Sequence, residues 1–280
     1  MPGTLFAAVL LGALMHASWN ALVRSVPDRL LGALRLALAA GAMAGLALPW
    51  LPQPAARSWA FIAASAVLQA VYYLLLAAAY RAGDISEAYP VMRGSAPALV
   101  ALASSAVFGE ALSNGQWLSV GAICVGVTSL ALDARRRRGA GAAVTGFALS
   151  NAVVIAAYTM VDGLGVRHAG ATAGYTLWVF LLTALLLLPV AALHQGAALL
   201  RIGPGALARS AAAGALMMAS YGLALWAMTG APVAMVAALR ETSIVFAALI
   251  ARLVLKERFT RARYAATALV AAGAVAIRVL

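Results

Sequence analysis

Ten apolar segments, each about 20 residues long, recur along this chain with only short connections between them. They occupy residues 4–24, 30–50, 58–80, 85–108, 114–133, 143–164, 172–193, 206–228, 232–254 and 261–280. About 20 residues of helix, at 1.5 Å of rise each, cross a hydrocarbon core about 30 Å thick. In lipid every backbone N–H and C=O must be satisfied by the protein itself, and a helix does so within one segment. The pattern predicts an all-α integral membrane protein with ten transmembrane helices. It leaves no room for an extramembrane catalytic or nucleic-acid-binding domain.

Composition closes off the other classes. A mean hydropathy of +0.96 and 10% charged residues exclude an ordinary soluble domain. The net charge of +12 could point to nucleic acid, but the cations punctuate loops instead of lining one face. No nucleic-acid partner is expected. Cys124 is the single cysteine, so no intramolecular disulfide can form, and the three histidines are too scattered for a metal site. No nucleophile and base stand at a telling spacing, so neither enzymatic activity nor a cofactor is expected. The first segment resembles a signal peptide ending near His16-Ala17-Ser18, but it lacks a basic start and nine more spans follow. It is expected to be a retained first helix.

The loops carry the topology. Thirteen basic residues fall after odd-numbered spans: Arg24, Arg29, Arg81, Arg135 to Arg138, Arg201, Arg209, Lys256, Arg258, Arg261 and Arg263. Only Arg57, Arg167 and Arg278 fall in the even loops and the carboxyl tail. Cytoplasmic loops are enriched in Lys and Arg, so the odd loops are expected in the cytoplasm and both termini on the other side. The Arg135–Arg138 run then serves as a solvated anchor.

A shift of 147 residues aligns 83–126 with 230–273 without a gap. Gly83 meets Gly230, Arg93 meets Arg240, Glu110 meets Glu257, Trp117 meets Tyr264 and Gly126 meets Gly273. The weight lies in scarce residues falling in register. Five spans per half is an odd number, so the second half enters the membrane upside down relative to the first. The expected domains are 1–134 and 143–280, two inverted five-helix repeats around a central cavity. Secondary transporters place their binding sites in such an arrangement.

The two halves end in "GE-x-L-S-x-x-Q-W-x-x-x-G" and "KERFTRARY", the first span holds "HASWNALVR", and "AxRAGDISEAYPVMRGSAP" precedes Arg93 and follows it. With these motifs the chain resembles the EamA-type drug/metabolite transporter superfamily along essentially its whole length. The resemblance implies ten helices in two inverted five-helix repeats with a cavity between them. It also implies export of amino acids or other metabolites, as in characterised bacterial members. Many members are described with cytoplasmic termini, and the loop charges here argue the opposite.

Arg93 and Arg240 each lie about eight residues inside an apolar segment, roughly 12 Å into the hydrocarbon. A cation there costs about 3 kcal/mol or more, so it is expected to face protein or a watery cavity. His16 and Asn20 share one face of the first helix, with Trp19 beside them. Ser86, Pro90, Arg93 and Pro97 form a stripe on the fourth, where each proline removes a backbone donor. Pro232, Val236, Arg240 and Ser243 match it on the ninth. Asn151, Ile155, Tyr158 and Asp162 form one on the sixth, Gln69, Tyr73 and Tyr80 on the third, and Met217, Tyr221 and Met228 on the eighth.

The expected substrate site comprises His16, Trp19, Asn20, Tyr73, Tyr80, Tyr89, Arg93, Tyr158, Tyr221, Trp226, Arg240 and Glu241. Either arginine could hold a carboxylate, because guanidinium pairs bidentately with planar oxyanions. The aromatics could stack against an apolar, aromatic or cationic portion. Each arginine could instead pair internally, with Glu87 or Glu241, and only lock helices. Glu241 points about 100° away from Arg240 and could carry a coupled proton or pair with another helix. Ser113 and Thr260 are placed to cap the helices that follow Glu110 and Glu257. Trp50, Trp59, Trp117 and Trp178 lie near span ends, where interfacial tryptophans collect.

The expected protein is a bacterial inner-membrane secondary transporter that exports small metabolites, foremost amino acids with aromatic or hydrophobic side chains, by alternating access. Its partners are the solute, the bilayer and, as candidate coupled ion, a proton. Three rivals remain: a proton-coupled exporter of cationic drugs, a flippase for lipid-linked intermediates, and a scaffold whose polar residues only join helices.

Overall fold

Among the described residues each expected apolar segment is largely helical. The computed structural model describes residues 1–24, 28–82, 85–138, 142–199, 201–253, 256 and 259–279, and all regular structure among them is helix. The helices are α1 (Gly3–Arg24), α2 (Arg29–Ala47), α3 (Trp59–Ala82), α4 (Ile85–Phe108), α5 (Asn114–Arg138) and α6 (Ala142–Ala169). They continue as α7 (Thr172–Gln195), α8 (Pro204–Met228), α9 (Val233–Arg240), α10 (Ser243–Leu253) and α11 (Arg261–Val279). Among the described residues eight segments are long and apolar enough to cross a membrane, and Met92–Phe108 of α4 is a shorter apolar stretch. Leu102, Leu118 and Leu193 stand on the outer surface, where an integral membrane protein meets lipid.

Local chemistry sets the ends. Ser113 Oγ accepts from Gln116 N–H at 3.2 Å while Ser113 N–H donates to Gln116 Oε1 at 3.0 Å, a reciprocal cap that starts α5. Thr260 Oγ1 accepts from Arg263 N–H at 3.3 Å at the start of α11. Both are the capping residues expected from the sequence; Glu257 lies outside the described residues. At its other end α5 runs past 133 to Arg138.

The break in helical backbone falls elsewhere than at the prolines of the fourth span. α4 is continuous through Pro90 and Pro97. The ninth span divides instead, between Arg240 and Ser243, into α9 and α10. There Glu241 N–H reaches Ala238 O at 3.0 Å and Thr242 N–H reaches Leu239 O at 3.1 Å, a tightened turn three residues long. α9 is enclosed by protein, with Val233 to Leu239 all buried, so a broken helix here exposes no backbone to lipid.

Packing repeats when the halves are exchanged. α1 packs on α8 as α6 packs on α3, and α4 packs on α6 as the α9–α10 pair packs on α1. α2 pairs with α7, α5 with α11, and α4 with α9, each helix meeting its own counterpart. The seam between α5 and α11 repeats atom for atom. A Cβ on Gly126 would lie 3.0 Å from Ala266 O and 2.7 Å from Val270. A Cβ on Gly273 would lie 2.9 Å from Ser119 O and 2.7 Å from Ile123. Each of these pairs is offset by the same 147 residues. Glycine lets the two backbones touch, which is how helices associate where lipid supplies no hydrophobic drive. Gly126→Ala and Gly273→Ala are each expected to lower stability by about 1–3 kcal/mol through overpacking. The unfolding temperature of detergent-purified variants measures this, and two unchanged midpoints would show that the seam yields freely.

Candidate functional site

Between the halves lies a small cavity of about 80 Å³. His16 and Trp19 reach it from α1, Gln69, Tyr72 and Tyr73 from α3, and Arg93 from α4. Ile155 and Tyr158 of α6, Phe180 of α7, and Met217, Ser220 and Tyr221 of α8 complete the wall, with Arg240 at the end of α9. Seven of the twelve expected site residues thus meet in one place: His16, Trp19, Tyr73, Arg93, Tyr158, Tyr221 and Arg240.

The two arginines differ in their company. Arg93 Nη2 lies 2.7 Å from Glu241 Oε1, with both side chains nearly enclosed. Glu241, placed off the Arg240 stripe by the turn after α9, therefore reaches across to α4 and does not line the cavity. Arg240 has no carboxylate within ion-pair distance among the described residues. Its guanidinium carbon sits 5.1 Å from the centroid of the Tyr221 ring, a cation–π contact.

Aromatic rings form a continuous wall. Tyr73 meets Tyr72 edge-on at 5.3 Å, Tyr72 meets Tyr158 at 6.4 Å, Tyr158 meets Tyr221 at 6.3 Å, and Tyr221 meets Phe180 at 5.9 Å. Such edge-to-face pairs favour fixed ring orientations. Across from them His16 and Trp19 stack edge to face at 4.9 Å. His16 Nε2 and Trp19 Nε1 are buried without a hydrogen-bond partner, and both residues line the cavity. An unmatched buried donor is costly, so these atoms are suited to a ligand.

Of the other expected residues, those that are described stand elsewhere. Asn20 donates to His16 O at 2.8 Å along its own helix and does not line the cavity. Trp226 is 44% exposed on the outside of α8. The side chains of Tyr80, Tyr89 and Glu87 lie outside the described residues. Gln69 and Met217 belong to stripes read from the sequence, whereas Tyr72, Phe180 and Ser220 were not singled out. Trp59 and Trp178 pack together at 4.8 Å, and Trp50 is exposed at a helix end.

Beneath the cavity floor Asp162 is fully buried. Its Oδ2 accepts from Ser65 Oγ at 2.8 Å and from the Tyr221 hydroxyl, and its Oδ1 accepts from the Tyr175 hydroxyl at 2.8 Å. One carboxylate so ties α3, α6, α7 and α8 together.

A second opening, of about 440 Å³, lies at the end of the bundle that carries the arginine-rich loops. Its walls are mostly apolar, including Leu30, Leu34, Leu74, Phe147 and Leu187, with Arg81 and His194 among them. Tyr73 lines both this vestibule and the central cavity. At the opposite end Arg167 Nη2 lies 2.6 Å from Glu110 Oε1. Arg167 also donates to Met228 O at 2.8 Å and Ala231 O at 3.1 Å, and Glu110 Oε2 accepts from Val233 N–H at 3.0 Å. The connections α4–α5 and α8–α9 and the end of α6 are thereby fastened to one another.

The model of the EamA-like transporter family matches this chain twice, over residues 2–132 and 144–279. A solved crystal structure, described only as that of a protein, shares the fold with a TM-score of 0.77 at 20% identity, covering 100% of this chain and 98% of that chain. No curated protein sequence matches.

Proposed function

Since the chain belongs to the EamA-like transporter family, and so is a membrane transporter of the drug/metabolite type, we propose that it exports small carboxylate-bearing metabolites, amino acids foremost, by alternating access. The observation that carries this is Arg240: a cation on the cavity wall, seated on an aromatic ring and with no carboxylate within ion-pair distance among the described residues. A planar guanidinium favours a carboxylate, and the adjoining rings favour an apolar, aromatic or ammonium-bearing remainder. His16 Nε2 and the Trp19 indole N–H supply further polar contacts.

The cavity volume bears on mechanism. Pockets for drug-sized ligands measure about 300–1,000 Å³, far more than this space. The helices must part to load a solute, as alternating access requires. The exchange symmetry of the packing supports two inverted five-helix halves, 1–134 and 143–280, counting α9 and α10 as one of ten spans. In that arrangement Arg93 and Arg240 approach the cavity from opposite faces of the membrane. A proton-coupled exporter of cationic drugs would need a free acidic group in the cavity, and the pairing of Glu241 with Arg93 removes the leading one.

Uptake of labelled amino acids into proteoliposomes tests the proposal. Saturable flux of zwitterionic or anionic solutes supports it. Flux confined to cations, or to lipid-linked intermediates, would replace it. The same proposal places the protein in a bacterial inner membrane with both termini outside, as the loop charges require. A carboxyl-terminal alkaline phosphatase fusion is then expected to be active and a green fluorescent protein fusion dark. The reverse pair of results would invert the topology.

A further inference from the structure

The cavity wall depends on a carboxylate that does not touch it. Asp162 does not line the cavity and sits among hydroxyls, with no cation within ion-pair distance among the described residues. A carboxylate is costly at membrane depth and is retained there for a task. Its two oxygens face different surroundings. Among the described residues Oδ1 accepts only from Tyr175, which is fully buried and does not line the cavity. Oδ2 accepts from Tyr221, whose ring lines the cavity, and from Ser65. Ser65 Oγ in turn accepts from Gln69 Nε2 at 3.2 Å, and Gln69 also lines the cavity. One oxygen is anchored in the framework while the other governs two wall residues.

Tyr221 is the consequential one. Its hydroxyl is spent on Asp162, so it presents its ring to the cavity, with the Arg240 guanidinium over it. A phenol donating to a carboxylate is polarised, which makes the ring face a better seat for a cation. We propose that Asp162 is a positioning residue of the solute site, holding the Tyr221 ring as the seat from which Arg240 meets the solute carboxylate. This rests on the transport proposal for its purpose, and on the Asp162–Tyr221–Arg240 geometry for its substance.

Two readouts separate those foundations. The first needs no solute: the rate at which phenylglyoxal modifies Arg240, followed by mass spectrometry in purified protein. Tyr221→Phe keeps the ring and deletes the tie to Asp162, and Asp162→Asn weakens the tie from the other side. Both are expected to change the Arg240 rate about fivefold, the scale of a cation–π contact near 1 kcal/mol. Tyr175→Phe removes a hydroxyl from the same carboxylate, on its framework side, and is expected to leave the rate unchanged. The second readout is transport of labelled phenylalanine. Tyr221→Phe and Asp162→Asn are expected to raise KM about fivefold with little change in maximal rate, and the double variant to be no worse than either.

Asp162→Asn must elute as a single species, and if it does not fold, Tyr221→Phe against Tyr175→Phe decides. An Arg240 rate that is the same in Tyr221→Phe as in the parent overturns the proposal. So does one that Tyr175→Phe changes equally, since the carboxylate would then be only a structural tie. If the parent protein does not transport phenylalanine, the transport proposal fails for that solute while the arginine readout still decides the role of Asp162.

Discussion

Arg240→Gln is expected to abolish high-affinity solute binding in a protein that remains folded, while Arg93→Gln is expected to damage the fold itself. The asymmetry follows from their partners. Arg240 sits on Tyr221 without a carboxylate among the described residues, so deleting its charge orphans no ion pair. Loss of a desolvated charge contact to the solute costs about 2–5 kcal/mol, which weakens binding at least tenfold. Arg240→Lys restores only part, since an ammonium lacks the planar fork. Arg93→Gln removes the ion-pair partner of the buried Glu241, leaving only the more distant charge of Arg240 near it, and its Oε2 already lacks a hydrogen bond. Breaking one side of a buried pair costs about 3–5 kcal/mol. Replacing both Arg93 and Glu241 with Met is expected to recover most of that loss, because the pair together gains little over apolar packing. Thermal unfolding and solute binding on the same four variants measure both axes. Normal binding by Arg240→Gln would make this arginine structural and move recognition to the aromatic wall.

The sequence showed where this bundle could not be bland. A cation deep in an apolar segment is costly enough that Arg93 and Arg240 had to find protein, and both line the cavity. The stripes through Tyr158 and Tyr221 also led to the wall, because a phenol within an apolar segment turns its hydroxyl toward a protein partner. Trp226 was a misleading neighbour: five residues on from Tyr221, it is turned about 140° around α8 and faces outward. Phe180 shares a face with Thr172, Thr176 and Thr183 of α7, a faint polar stripe in a largely apolar helix that was not read from the sequence. The pairing of Glu241 with Arg93 was one alternative among several, and only the tertiary fold selects it, since it joins α4 to a turn that interrupts the ninth span. That interruption was itself illegible. Pro90 and Pro97, where backbone disturbance was expected, pass inside a continuous α4, while Pro232 of the ninth span stands just before the start of α9. Asp162 was visible as the last residue of the stripe on the sixth span, but hydroxyls from three other helices give it its partners, and no local pattern foretells that.

Opening the end of the bundle that the loop charges place outside is expected to require breaking the Glu110–Arg167 fastening. In the state seen here a vestibule reaches Tyr73 from the arginine-rich end, while Arg167 binds Glu110, Met228 O and Ala231 O at the other. Arg167 also lies 4.9 Å over the Phe108 ring, so it holds the end of α4 as well. The pair is only partly shielded, at 29% and 16% exposure, and a contact of this kind is weaker than a fully buried one. Its two carbonyl bonds and the bond from Val233 N–H to Glu110 add to it, so that losing Arg167 shifts the closed state by about 1.4 kcal/mol or more, a tenfold change in population. Ser220 lies in the central cavity and reports that change once replaced by cysteine, with Cys124→Ser removing the only native thiol. An impermeant maleimide added from outside is expected to label Ser220→Cys at least tenfold faster when Arg167→Ala is present. Glu110→Gln should accelerate labelling similarly, and the double variant should add little, because both changes break one coupled unit. Equal labelling in all of these would show that the end opens without disturbing Arg167, and that the fastening only stabilises the fold.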